Sequence, residues 1–190
     1  MGNQESIHNI NEENLLKTEA NVLQMTGLLE DQIEVKNVPV GKFEGEETYI
    51  RTFIFGDKAK PKLVMVHGYA SSGPLLCCKI AKSLSEDFCV IAIDLIGMGG
   101  SSRPKNFDKH KITPEECNSY FVEYFESWRV SMSKNFHGDG TEEEFTDFYV
   151  GAHSFGGYTT GWYSVKYPQH IKKLILISPV GIRIPIEGEN

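Results

Sequence analysis

The chain has 190 residues and a mass of 21.4 kDa, the size of a single domain. Forty per cent of it is apolar and 24% is charged, a globular balance that excludes a collagen-like, disordered or disulfide-scaffold chain. The net charge of −7 excludes a non-specific nucleic-acid binder, because neutralising phosphates needs a basic face. The longest unbroken apolar run, Phe88–Ile93, has six residues, whereas a spanning helix needs about 20. The four cysteines (Cys77, Cys78, Cys89, Cys117) show neither metal-ligand spacing nor a disulfide framework, and no Asn-x-Ser/Thr acceptor is present. Reduced thiols in a cytoplasmic chain are therefore expected, with no metal and no cofactor.

The opening Met-Gly-Asn-Gln-Glu-Ser is not a secretory signal, since it has neither a basic start nor an apolar centre. It does fit the myristoylation pattern at Gly2, with Ser6 in the last slot. A single acyl chain would give only reversible anchoring, because no basic cluster or nearby cysteine supplies a second signal. Asn9 with Glu12 has the form of a helix-capping box. Leu16, Ala20 and Leu23 then recur at helical spacing, predicting an amphipathic helix over about 10–25. Residues 1–31 read as a helical leader and 32–190 as the core.

From Gln32 the period changes. Ile33–Val40 and Thr48–Phe55 alternate and are rich in β-branched and aromatic residues, which predicts a hairpin around Gly41–Glu47. The later apolar runs Leu63–Val66, Cys89–Ile93, Phe148–Val150 and Leu174–Ile177 are continuous, as in strands buried on both faces of a parallel sheet. Helices are predicted between them at Gly73–Ser85, Thr113–Phe136 and Gly156–Tyr167. Cys117, Phe121, Phe125 and Trp128 share a face of the second, and Tyr158, Trp162 and Val165 share a face of the third. Strand–helix alternation with right-handed crossovers gives an α/β fold: a mostly parallel sheet with an N-terminal hairpin and helices on both faces.

The chemistry-bearing stretch is Tyr149-Val150-Gly151-Ala152-His153-Ser154-Phe155-Gly156-Gly157. A buried strand runs into a serine and a helix follows, which is the nucleophile-elbow pattern. So tight a turn needs small residues two positions to either side of the serine. Ala152 and Gly156 fill those places, although the first is usually Gly. Ser154 is then the candidate nucleophile, at a helix N-terminus whose free N–H groups favour a developing oxyanion. The run His67-Gly68-Tyr69-Ala70 after an earlier buried strand reads as the oxyanion loop. The backbone N–H groups of Tyr69 and Phe155 are the candidate donors. His67 reads as a structural ring that ties the loop, and His153 as packed. Asp94 and Arg103, in the Gly-rich run Asp94–Pro104, read as structural hydrogen-bonding groups. Dinucleotide and P-loop patterns are absent.

Together these residues resemble the α/β-hydrolase fold over Ile33 to Gly181. The likeness is closest to the branch holding the (lyso)-N-acylphosphatidylethanolamine lipases and the lipid-droplet lipase coactivator. It is carried by Tyr49-Ile50-Arg51-Thr52, His67-Gly68-Tyr69-Ala70, the run Asp94–Pro104 ending Ser-Ser-Arg-Pro, Tyr120-Phe121-Val122-Glu123 with Trp128-Arg129, and His153-Ser154-Phe155-Gly156-Gly157-Tyr158. Tyr167-Pro168 and Leu174–Ser178 with Pro179 and Gly181 continue it. In that branch the lipases keep the serine that the coactivator has lost, so in having Ser154 the chain is similar to the lipase side. The resemblance implies acyl chemistry on a lipid or lysophospholipid, lipid homeostasis, acyl transfer to lysophosphatidate, and reversible contact with a membrane or lipid-droplet surface.

Two departures stand out. The branch carries a His-x-x-x-x-Asp box, and none of His8, His67, His110, His137, His153 or His170 has Asp five residues on. The fold also orders its triad Ser, acid, His, and no histidine follows His170. The expectation is a fold truncated at Asn190, before the lid and last strands. The acid and base would lie roughly 60–160 residues further on, as the size of such domains suggests, and the chain alone would be nearly inactive. Three readings stay open: a lipid esterase or lipase represented by its N-terminal part, a non-enzymatic lipid or protein binder that keeps the elbow, and another hydrolase sharing that turn.

Overall fold

The structure, a computed structural model, describes residues 12–104 and 112–181. Gly2, Ser6, His8, the Asn9 cap, His110 and Asn190 lie outside the described residues. The strands are β1 (Ile33–Phe43), β2 (Glu46–Phe55), β3 (Lys62–Val66), β4 (Cys89–Ile93), β5 (Phe148–His153) and β6 (Ile171–Ile177). The helices are α1 (Glu12–Gln24), α2 (Gly73–Cys77), α3 (Ala81–Leu84), α4 (Pro114–Asn135) and α5 (Phe155–Lys166).

The six described strands form one sheet in the order β1-β2-β4-β3-β5-β6. β3 through β6 pair in parallel, and the β1–β2 hairpin joins β4 antiparallel. The expected α/β architecture is therefore present. The hairpin is tighter than its sequence suggests, because Phe43 pairs with Glu46 across a two-residue turn. Glu44 (φ 50°) and Gly45 (φ 85°) both take the left-handed conformation that such turns require. A register shift between Pro39 and Gly41 absorbs the extra residue.

The sheet separates two apolar layers. On one face Val64, Val66, Ile91, Ile93 and Val150 pack with Val122, Phe125, Trp128 and Met132 of α4 and Tyr163 of α5. On the other, Phe53, Phe55, Met65, Val90 and Ala92 pack with Cys77 and Ala81, and Leu23, Leu28, Leu76 and Leu84 close the edge. The alternation of β2 and β3 residues between these layers is the period-two geometry of a strand.

α4 is the best-specified helix. Thr113 Oγ1 accepts from the Glu116 amide (3.2 Å) and Glu116 Oε2 accepts from the Thr113 amide (2.8 Å), with Pro114 in the first turn. At its other end Lys36 Nζ and Lys58 Nζ donate to the Asn135 and Phe136 carbonyls, each at 2.6 Å. Within the core, Trp128 Nε1 donates to Thr52 Oγ1 (3.0 Å), and that hydroxyl donates to the Ile50 carbonyl (3.1 Å).

Four expectations need correction. Gly73–Ser85 is two short helices rather than one, with a break at Cys78–Ile80. The inward face of α1 is Leu15, Glu19, Val22 and Leu23, while Leu16 and Ala20 are exposed. The buried face of α5 is Gly156, Gly157, Thr159, Thr160 and Tyr163, so Trp162 and Val165 point outward. β6 is not buried on both faces, since Ile175, Leu176 and Ile177 are exposed.

The Trp128–Thr52 bond joins α4 to β2 in a site where water has no access. Trp128→Phe leaves the Thr52 hydroxyl without its donor. We expect a loss of about 1–3 kcal/mol in chemical denaturation.

Candidate active site

β3, β4 and β5 end together, and the loops that leave them form one rim. Ser154 sits at the turn from β5 into α5 with φ 52° and ψ −116°. An L-residue adopts such a backbone only when its surroundings impose it. Here the ties are explicit. The Ser154 amide donates to the Ile177 carbonyl (3.0 Å), and the Ser154 carbonyl accepts from Val180 (3.2 Å) and Tyr158 (3.1 Å).

Glycine makes the turn possible. A methyl group on Gly156 would lie 2.4 Å from the His67 carbonyl oxygen and 2.7 Å from that of Val66. Both are backbone atoms, so α5 can approach the end of β3 only without a side chain there. One on Gly68 would lie 3.0 Å from Ser154 Cβ and 3.1 Å from His153 Nδ1. The loop thus runs directly against the serine. Ala152, in the place where Gly is usual, is fully buried and accommodated.

The sequence-predicted residues meet at this rim. Ser154 is half-buried, and among the described residues its hydroxyl has no hydrogen-bond partner. The Tyr69 amide also lacks a hydrogen bond among the described residues, and its ring is exposed. Phe155 opens α5, so its N–H has no intrahelical acceptor. Its ring meets that of Phe121 edge-on, with centroids 5.0 Å apart.

His67 is fully buried. Its Nε2 accepts from the Leu95 amide (3.0 Å), which leaves Nδ1–H to donate to the Gly68 carbonyl (2.6 Å). Both nitrogens are committed to backbone, and burial pushes the imidazole pKa down. His67 therefore ties the end of β3 to the end of β4. His153 is half-buried beside Gly68, while His137 and His170 bond to Glu143 and Thr146, away from the elbow.

Asp94 ties the loop after β3 to the loop after β4. Its Oδ1 accepts from the Gly73 amide and its Oδ2 from the Gly100 amide, each at 2.7 Å. Its carbonyl accepts from Ser101 Oγ (2.6 Å). The same hydroxyl oxygen accepts from the Arg51 amide, and Ser102 Oγ accepts from the Tyr49 amide, each at 2.9 Å. The two serines thereby continue the edge of β2. Arg103 donates to the Ser101 and Gly99 carbonyls. Glu19 clamps Arg51 from α1, at 3.1 Å to Nε and 2.6 Å to Nη2. Sequence reasoning does not single out Glu19, which on a helical repeat reads as a surface acid. No group of three or more His, Cys, Asp or Glu side chains converges as a metal site among the described residues. The four cysteines are unpaired thiols, and burial pushes Cys77 and Cys89 up to about 12.

The sequence model of the alpha/beta hydrolase fold family matches residues 61–187. A 1-acylglycerol-3-phosphate O-acyltransferase of Arabidopsis thaliana is 34% identical over 173 residues, covering 87% of this chain and 38% of that protein. A (lyso)-N-acylphosphatidylethanolamine lipase of Mus musculus is 35% identical over 124 residues, covering 65% of this chain and 32% of that protein. The crystal structure of a membrane phospholipase A superposes with a TM-score of 0.66 at 18% identity, over 93% of this chain and 47% of that one. At that identity the superposition speaks to the fold alone. The chain thus spans 38% of the length of the matched plant acyltransferase. The relatives fall in the branch that the motifs resemble.

Two expectations test the rim. Glycine relieves the Ser154 backbone and alanine does not. Ser154→Gly should therefore be about 1 kcal/mol more stable than Ser154→Ala, after the entropy glycine adds to the unfolded chain is subtracted. Asp94 gives a pH signature. Burial pushes its carboxyl up to about 6, against the pull of the Gly100 and Gly73 amides. The folded state then holds the proton more tightly than the unfolded one. The stability this provides is complete below the unfolded pKa near 4 and lost as pH rises through about 6. Denaturation from pH 4 to 7 should show the wild type losing roughly 2 kcal/mol relative to Asp94→Asn, whose side chain does not titrate.

Proposed function

The chain belongs to the alpha/beta hydrolase fold family, and on that premise we propose that it carries the nucleophile and oxyanion half of a lipid acyl-transfer site. The observation that carries this reading is the strained, half-buried Ser154 at the β5–α5 turn, with its hydroxyl unbonded and the Gly68 loop against it. Ser154 Oγ attacks the ester or amide carbonyl of a lipid. The carbonyl π electrons move to oxygen, and the Tyr69 and Phe155 amides receive that charge. Such a donor is worth about 3 kcal/mol of transition-state stabilisation. Collapse of the adduct, with the proton taken from Ser154 delivered to the leaving oxygen or nitrogen, expels the lysolipid or amine and leaves an acyl-serine. Water then releases a fatty acid, or a lysolipid hydroxyl takes the acyl group, which is the transfer named in the plant relative.

The proton of Ser154 needs a base. Among the described residues no imidazole or carboxylate bonds to that hydroxyl, and His67 is committed to backbone at both nitrogens. We assign the base and its orienting acid to residues outside those described. The same observation favours a second reading, a lipid- or protein-binding chain that keeps the turn without the chemistry. For the first reading, and for the lipid-binding form of the second, the ligand is a lipid or lysophospholipid, met by reversible contact at a membrane or lipid-droplet surface from the cytoplasmic side.

A fluorophosphonate probe separates the two. Applied to the native protein in extracts of its own cells, it should label Ser154, and Ser154→Ala should abolish the label. A folded wild type that stays unlabelled would support the binder reading.

A further inference from the structure

We propose that the outer face of α2 and α3, widened by Met25 and Leu29, is a docking surface for an anionic lipid bilayer. The segment has two distinct sides. Leu76, Cys77, Ala81 and Leu84 turn inward onto the sheet. Leu75 and Ile80 turn outward, 51% and 40% exposed, although neither short helix needs an apolar outer side. Tyr69, at the start of the same stretch, is 78% exposed. The turn after α1 extends the face. Gly27 lies against Lys82, 3.7 Å from the place of its missing methyl to Lys82 Cδ, and Met25 and Leu29 on either side of it are 48% and 68% exposed.

Charge identifies the occupant. The chain is acidic overall, yet between Gly68 and Ser85 it carries Lys79 and Lys82 and no acid. Among the described residues neither lysine pairs with a carboxylate. The acids that follow the two apolar stretches, Glu30 with Asp31 and Glu86 with Asp87, lead into the starts of β1 and β4, at the end of the sheet away from the elbow. Exposed aliphatic side chains with interspersed ammonium groups and an amphipathic phenol match a surface of acyl chains under anionic headgroups.

The placement bears on the chemistry. Residues 68–80 carry both the proposed oxyanion loop and the exposed apolar row. Docking through them brings the Tyr69 amide and the mouth of the elbow to the lipid. The inference rests on the lipid reading only for its purpose, since binding is measured without turnover.

The test is co-sedimentation of the native protein with phosphatidylcholine vesicles, with and without phosphatidylserine. Binding is expected only with phosphatidylserine and should weaken as salt is raised. Lys79→Glu with Lys82→Glu should reduce the partition roughly tenfold or more. Leu75→Glu with Ile80→Glu should abolish it, and Val130→Glu, exposed on α4 in the opposite layer, should leave it unchanged. Equal binding to pure phosphatidylcholine, no binding at all, or unaltered binding by the α2–α3 variants would overturn the proposal. Labelling by the soluble fluorophosphonate is read in parallel. A protein that binds these vesicles but never labels supports the docking face and counts against the Ser154 reading.

Discussion

The close approach of α5 to the end of β3 sets the geometry of everything around it. The Gly156 backbone sits against the carbonyls of Val66 and His67 with no room for a methyl group. Because α5 begins so near the strand, the chain has one residue in which to reverse, and that residue is Ser154 at φ 52°. The serine is strained because the helix is close, and the helix is close because position 156 has no side chain. The hydrogen bonds to Ile177 and Val180 hold the bend against relaxation.

Around that bend the rim is tied by side chains bonded to backbone. His67 joins the end of β3 to Leu95 after β4. Asp94 gathers Gly73 and Gly100, and Ser101 and Ser102 bind the loop to β2. A buried carboxyl held up to about 6 is an expensive fastener. It accepts from both amides at once, which joins the loop after β3 to the loop after β4.

Much of this is legible in the sequence. The unbroken apolar runs at Leu63–Val66 and Cys89–Ile93 announce parallel strands, because only burial on both faces suppresses alternation. The elbow is legible because Gly156 and Ser154 are constrained by sterics, which leave a local mark. Glu19 is not, because its role depends on Arg51 from another element. The break between α2 and α3 carries no Gly or Pro to signal it. The covered faces of α1 and α5 are not legible for a shared reason. Apolar periodicity locates an amphipathic face but does not say which neighbour covers it. On α5 the covered face is built from Gly and Thr, small enough for the helix to lie close to the sheet. At β6, apolar character and burial part company altogether, since Ile175 to Ile177 are exposed.

The contacts that bend Ser154 come from segments far apart in the chain. β1 and β2 meet across two residues, whereas β3 and β5 pair across an intervening stretch that holds the whole of α4. The carbonyls that force the bend belong to β3 and its outgoing loop, and the glycine they press against belongs to α5. No local segment can therefore reproduce the bend, and a short peptide spanning the β5–α5 turn would lack the carbonyls that impose it.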